Sequence, residues 1–135
     1  MRVGIVGQIS PHKGHDDVLE VLRLVPDVEC LIFGKGSPSY IADLMKRSLE
    51  YEISDRIRWC GFVREQDAIY PRIDVLLVPS KCDDACPTVI MEAAFYGVPT
   101  VAYKRGGIPE LIKDGETGFL VDTIEQMAEK VRLLM

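Results

Sequence analysis

The sequence predicts an α/β domain, a three-layer sandwich whose six-stranded, mostly parallel sheet carries helices on both faces. Three observations lead there. Six short apolar runs, at 2–7, 29–33, 57–61, 75–78, 100–103 and 119–121, read as strands. Helix-like segments at 13–24, 39–51, 65–72, 88–96, 108–112 and 123–134 alternate with them. No hairpin linker such as Asn-Gly joins one strand to the next, so each connection is read as a right-handed crossover. Most strand runs are continuously apolar rather than alternating, as expected where both faces of a sheet are covered.

The elements follow in order. Val3 to Val6 begin a strand almost at the N-terminus, and Gly7 closes it. Val18, Val21, Leu22 and Val25 recur at helical spacing in the first helix, as do Ile41, Leu44, Met45 and Leu49 in the second. Pro87 fits a first helical turn, where its missing N–H costs nothing, and the apolar run Val89 to Phe95 follows it. Gly106-Gly107 and Pro109 begin a short helix, and Asp114-Gly115 reads as a tight turn into the last strand. The helical pattern at 123–134 runs to the end of the sequence with no Gly or Asn stop signal, so the chain is read as a piece of a longer protein.

With 135 residues, one domain is expected, long enough to bury a sizeable core. Its 47% hydrophobic and 27% charged content is that of an ordinary globular domain. A net charge of −5 gives no electrostatic ground for nucleic-acid binding. No apolar run nears the ~20 residues of a membrane span, and with a strand read almost from the first residue no signal peptide is expected, so a cytoplasmic location is expected. Cys30 and Cys60 lie in apolar strands and are read as small hydrophobes; Cys82 and Cys86 lie in a loop. No CxxC spacing occurs, so neither a zinc site nor a disulfide framework is expected. His12 and His15 are read as solvated side chains rather than a metal pair.

In parallel α/β folds, ligands bind outside the carboxyl ends of the strands, which directs attention to the loops there. After the first strand, Gly7-Gln8-Ile9-Ser10-Pro11-His12-Lys13-Gly14 puts a lysine at a helix start. That arrangement suits a phosphate, or is a plain exposed lysine. Gly34-Lys35-Gly36-Ser37-Pro38 permits close backbone approach to a ligand, or is a turn before a helix. Gly61-Phe62-Val63 could hold a planar base through backbone groups, or merely connect. Ser80 to Cys86 lead into Pro87, and the N–H groups of Thr88 and Val89 at the helix start can receive an anion. Glu92 lies one turn beyond Thr88 inside an otherwise apolar run. A carboxylate there is costly to bury unless something polar meets it; it can accept from vicinal hydroxyls such as those of a ribose, cap a loop, or pair with Lys13 or Lys104. Asp84, eight positions earlier, could accept from a second sugar. Lys104 and Arg105 add positive charge after the fifth strand.

Taken in order, these segments resemble the C-terminal, donor-binding domain of retaining GT-B glycosyltransferases of family 4. The resemblance is carried by Val6 to Gly14, Phe33 to Gly36, Trp59 to Val63, Asp74 to Ser80, Pro87 to Pro99, Gly106 to Ile112 and Asp114 to Val121, nearly the whole chain. It implies a Rossmann-like half of a GT-B fold. It also implies an acid-x7-acid pair: Glu92 on the ribose and Asp84 at the donor sugar, the latter shorter by one methylene than the usual glutamate. Lys13 matches the lysine on the donor diphosphate, and Gln8 stands where the family usually carries an arginine. Pro87, Thr88 and Val89 match the helix start that meets the terminal phosphate, and the region from Gly61 to Val63 matches the loop that holds the base.

The implied activity is metal-independent transfer of a sugar from a nucleoside-diphosphate sugar to an acceptor hydroxyl with retention, with Asp84 and Lys13 as the catalytic candidates. The implied partners are that donor and an N-terminal acceptor domain outside residues 1–135, with no separate cofactor; peripheral membrane contact is open for the full protein. The chain alone is expected to be inactive. Two alternatives stand: a sugar-nucleotide epimerase, against which the acid-x7-acid spacing speaks, and a non-catalytic nucleotide-binding or interaction module on a degenerate GT-B fold, which Gln8 and Asp84 favour.

Overall fold

The computed structural model describes residues 1–82 and 88–135. Six strands, β1 (Arg2–Val6), β2 (Glu29–Phe33), β3 (Ile57–Gly61), β4 (Val75–Val78), β5 (Thr100–Tyr103) and β6 (Gly118–Val121), form one sheet in the order β3-β2-β1-β4-β5-β6. All five pairings are parallel. The helices are α1 (His15–Leu24), α2 (Pro38–Glu50), α3 (Thr88–Phe95), α4 (Ile108–Leu111) and α5 (Ile124–Leu134).

The continuous apolar runs acquire their meaning from the sheet's two covered faces. Along β4, Val75 and Leu77 pack with α1, α2 and α5 on one face. Leu76 and Val78 pack with α3, α4 and Tyr70 on the other. Side chains alternate as in any strand, but both sides meet a core, so no polar alternation survives. Helix starts follow local chemistry: Ser37 accepts from the Tyr40 N–H at the head of α2, and Thr123 from the Gln126 N–H at the head of α5. The Arg56 guanidinium donates to the carbonyls of Leu22, Val25 and Val28, closing the far end of α1.

Two expected helices differ. The segment at 65–72 is a pair of 3-10 turns, Gln66–Ala68 and Tyr70–Arg72, rather than an α-helix. Pro71 is the reason: it removes a donor and disfavours helical backbone at the residue before it. The helix expected at 13–24 is broken at Gly14, whose φ of +85° ends a 3-10 turn at Lys13 before α1 begins. Gly14 is obligatory there for a second reason. A Cβ at this position would lie 1.9 Å from the Pro79 carbonyl oxygen beyond β4. His12 and His15 therefore share no helix face; His12 is exposed, whereas His15 is buried and not solvated as expected.

The chain order reverses between β1 and β4, the neighbours at the centre of the sheet. In open parallel sheets, the crevice outside the strand ends at such a point is where ligands seat. Gly14→Ala combines a left-handed backbone with a clash against fixed main chain, so it should cost on the order of 3 kcal/mol. Chemical denaturation checks this; a loss below about 1 kcal/mol would show that the loops after β1 and β4 are not pressed together.

Candidate functional site

A cavity of about 280 Å³ opens at the switch point. The ends of β1 and β4 supply its floor through Ile5, Val6, Leu77 and Val78, and Gln8, Lys13, His15, Thr88 and Val89 surround it. A second cavity, of about 490 Å³, adjoins it through the shared residues Val6, Gly7 and Gln8, and extends over the ends of β2 and β3 to Lys35, Phe62 and Val63. The two form one cleft along the carboxyl edge of the sheet.

Backbone bonds build this edge. The Gly7 N–H donates to the Phe33 carbonyl (3.0 Å), Gly34 to Gly61 (2.8 Å), Ile9 to Lys35 (2.7 Å) and Lys81 to His12 (2.9 Å). Gly34, at φ +143°, comes so close that a Cβ would sit 1.8 Å from the Gly7 oxygen. α3 is described from Thr88 onward, which places the backbone of Thr88 and Val89 at its N-terminal end, the positive end of the helix dipole, beside the first cavity.

Of the site residues expected from sequence, the structure brings Gln8, Lys13, Thr88 and Val89 around the first cavity, and Gln8 and Val63 around the second. Gly61 sits beside it at the end of β3, its carbonyl engaged by Gly34. Asp84 and Pro87 lie outside the described residues, as does Cys86. Glu92 lies one turn further along α3, half-buried, and does not line either cavity.

For Glu92 the structure supplies a partner that none of the sequence alternatives named. Its Oε1 accepts a 2.6 Å hydrogen bond from the hydroxyl of Tyr70, which is itself fully buried. Burial, then the Glu92 carboxylate, push the Tyr70 phenol well above its ordinary pKa, so it remains a donor at any physiological pH. Tyr70 stacks on Tyr96 with centroids 5.5 Å apart, and the Tyr96 hydroxyl donates to Asp67. Lys104 pairs with Asp122 at 3.5 Å. Lys81 meets Asp16 at 2.7 Å and Asp17 at 3.5 Å, tying the loop after β4 to α1.

Two side chains take places at the cleft that the sequence reading did not give them, Phe62 having been read only as part of the loop from Gly61 to Val63 and His15 as solvated. Phe62 is 64% exposed at the second cavity, with the Lys35 ammonium 5.5 Å from its ring centroid; an aromatic in a loop after a strand was the available signal. His15, 2% exposed, lines the first cavity with both ring nitrogens unpaired among the described residues. Leaving such a group unmet costs about 1–3 kcal/mol. Desolvation lowers its pKa to about 4; the Ser10 backbone offsets part of this without reaching hydrogen-bond geometry, Asp16 also raises it and Lys13 lowers it. Among the described residues, no three His, Cys, Asp or Glu converge as metal ligands would, and no helix is long and apolar enough to cross a membrane.

The description of the group 1 glycosyl transferases matches residues 2–135. The chain belongs to that family. A D-inositol 3-phosphate glycosyltransferase of Mycobacterium sp. (strain KMS) is 35% identical over 125 residues, a match covering 89% of this chain and 28% of that protein. One from Mycolicibacterium smegmatis is 37% identical, covering 89% and 29%. Among solved structures, Anabaena Alr3699/HepE in complex with UDP-glucose superposes with a TM-score of 0.92 at 26% identity, covering 98% of this chain and 38% of that one. The fold is thus the Rossmann-like half of a GT-B architecture, and the group 1 domain spans less than a third of the length of these curated relatives.

Two outcomes follow from the geometry. Tyr70→Phe keeps the ring but removes the bond to a carboxylate, and should cost about 1–2 kcal/mol in denaturant titration; an unchanged midpoint would mean that Glu92 gains nothing from Tyr70. The second concerns pH. An unfolded chain protonates His15 near pH 6.5, the folded chain only near 4. Between these values the unfolded state holds the extra proton, so the stability of the neutral-ring fold is complete above about 6.5 and is lost as pH falls towards 4. The loss should reach about 3 kcal/mol and be missing from His15→Phe; parallel slopes for parent and variant would contradict the buried neutral ring.

Proposed function

We propose that the chain is the donor-binding domain of a retaining glycosyltransferase. The full protein would transfer a sugar from a nucleoside-diphosphate sugar to an acceptor hydroxyl without a divalent cation, and an N-terminal acceptor domain would complete the cleft. The observation that carries this reading is the cavity at the β1/β4 switch point, where Lys13 and the start of α3 converge beside Gln8. A lysine and a helix N-terminus suit the charge that develops on a departing diphosphate. The second cavity, with Phe62 and Val63, fits a base. Glu92 would meet the ribose hydroxyls with the acceptor sites left after Tyr70 donates to Oε1, Oε2 among them. Asp84 is assigned to the donor sugar by its place in the acid-x7-acid pair alone. The HepE structure with UDP-glucose supports a nucleotide sugar as the ligand class. The chain by itself, lacking an acceptor half, would be catalytically silent.

Gln8 favours a second reading, a non-catalytic module, because it contributes no charge where the family usually carries an arginine. Thermal unfolding with UDP, GDP and ADP separates the two. At a hundred-fold excess over its dissociation constant, the cognate diphosphate should add about 2.7 kcal/mol, and Glu92→Ala should weaken binding about ten-fold. No stabilisation by any of the three at millimolar concentration would favour the interaction module, and unchanged binding by the Glu92 variant would remove the ribose assignment.

A further inference from the structure

His15 is a polar group that the fold buries and leaves unanswered. It is 2% exposed, and neither Nδ1 nor Nε2 has a partner among the described residues. It lines the same cavity as Lys13 and the start of α3. As the first residue of the ten-residue α1, it also marks a second helix N-terminus at that cavity. A phenyl or leucyl side chain would fill such a position with no polar atom to desolvate, so packing alone does not account for an imidazole.

We propose that His15 binds the donor directly, its ring donating a hydrogen bond to a phosphate oxygen of a nucleoside diphosphate seated in this cavity. The proposal rests on the nucleotide reading above and adds a residue to it. A neutral imidazole carries one N–H and one lone pair, so it can donate to an anion without a charge having to be buried in the empty site. The ring is held in place by its backbone: Gly14 fixes the start of α1 against Pro79. Gln8, on the β1 side of the same cavity, offers an uncharged amide donor. Together they give the phosphates two neutral donors beside the ammonium of Lys13.

The test is calorimetric titration of the parent chain and His15→Phe with UDP, GDP and ADP and with the matching nucleosides at pH 7.5. The variant should be at least as stable as the parent, bind the cognate diphosphate about ten-fold more weakly, and bind the nucleoside unchanged. A purely structural histidine predicts the reverse, lost stability with diphosphate affinity intact, and that result overturns the proposal. If the parent binds no diphosphate, the nucleotide reading fails and this proposal falls with it. If the parent binds and the variant binds equally well, only the proposal fails. Should the variant not fold, nitrogen-15 spectra of the parent's imidazole decide: the His15 ring resonances should move on adding the diphosphate and not the nucleoside, and unmoved resonances overturn it.

Discussion

The structure depends on main chain meeting main chain at the carboxyl edge of the sheet. Six parallel strands bring all their outgoing loops to one side. There, hydrogen bonds such as Ile9 to Lys35 and Gly34 to Gly61 prolong the sheet's pairing beyond the strands themselves. Close approach is available only where there is no Cβ, which is why Gly14 faces the Pro79 carbonyl and Gly34 faces that of Gly7. Each contact fixes a loop whose next residues line the cleft: Gln8 after Gly7, and Lys35 after Gly34. The loops after β1 and β2 are thus tied by backbone bonds of the same kind that pair the strands.

On the far face of the sheet, the 3-10 segment imposed by Pro71 does comparable work. It delivers the fully buried Tyr70 beneath α3, where the phenol meets Glu92. Among the described residues, a half-buried carboxylate on so apolar a helix would otherwise be left without a partner, at a cost of more than about 1 kcal/mol. The Tyr70 donor offsets that cost and fixes the direction of Oε2. The stacking of Tyr96 on Tyr70, and the tie from Tyr96 to Asp67, join this face to the same segment. The Glu92 carboxylate is thereby held by a residue 22 positions away in the sequence.

That separation explains what could be read from the sequence and what could not. The strands were legible because a sheet covered on both faces leaves continuous apolar runs; β2, β3, β4 and β5 have the expected limits. Glu92 was legible as a charge in an apolar run, whereas Lys13, expected to open a helix, closes a 3-10 turn before Gly14. The Tyr70 partner was hidden, because local pattern says nothing of which side chains meet across the core. The helix wrongly expected at 65–72 reflects Pro71 given too little weight, and the late start of α1 reflects Gly14. His15 was misjudged for the same reason: its burial follows from the break at Gly14, and without that break it reads as one more polar residue near a helix start.

The first cavity shows how charge is distributed in this chain. Among its described lining residues the formal positive charge is carried by Lys13, while Gln8, His15 and the backbone of α3 are neutral groups. A second cation close to Lys13 would raise the cost of desolvating an unliganded site. Neutral donors avoid that cost and still orient an anion, since a hydrogen bond to a charged acceptor is worth roughly twice one between neutral groups. On the proposed reading, Gln8 and the buried imidazole of His15 would be two neutral donors of one anion cradle, in which the full positive charge among the described lining residues stays on Lys13.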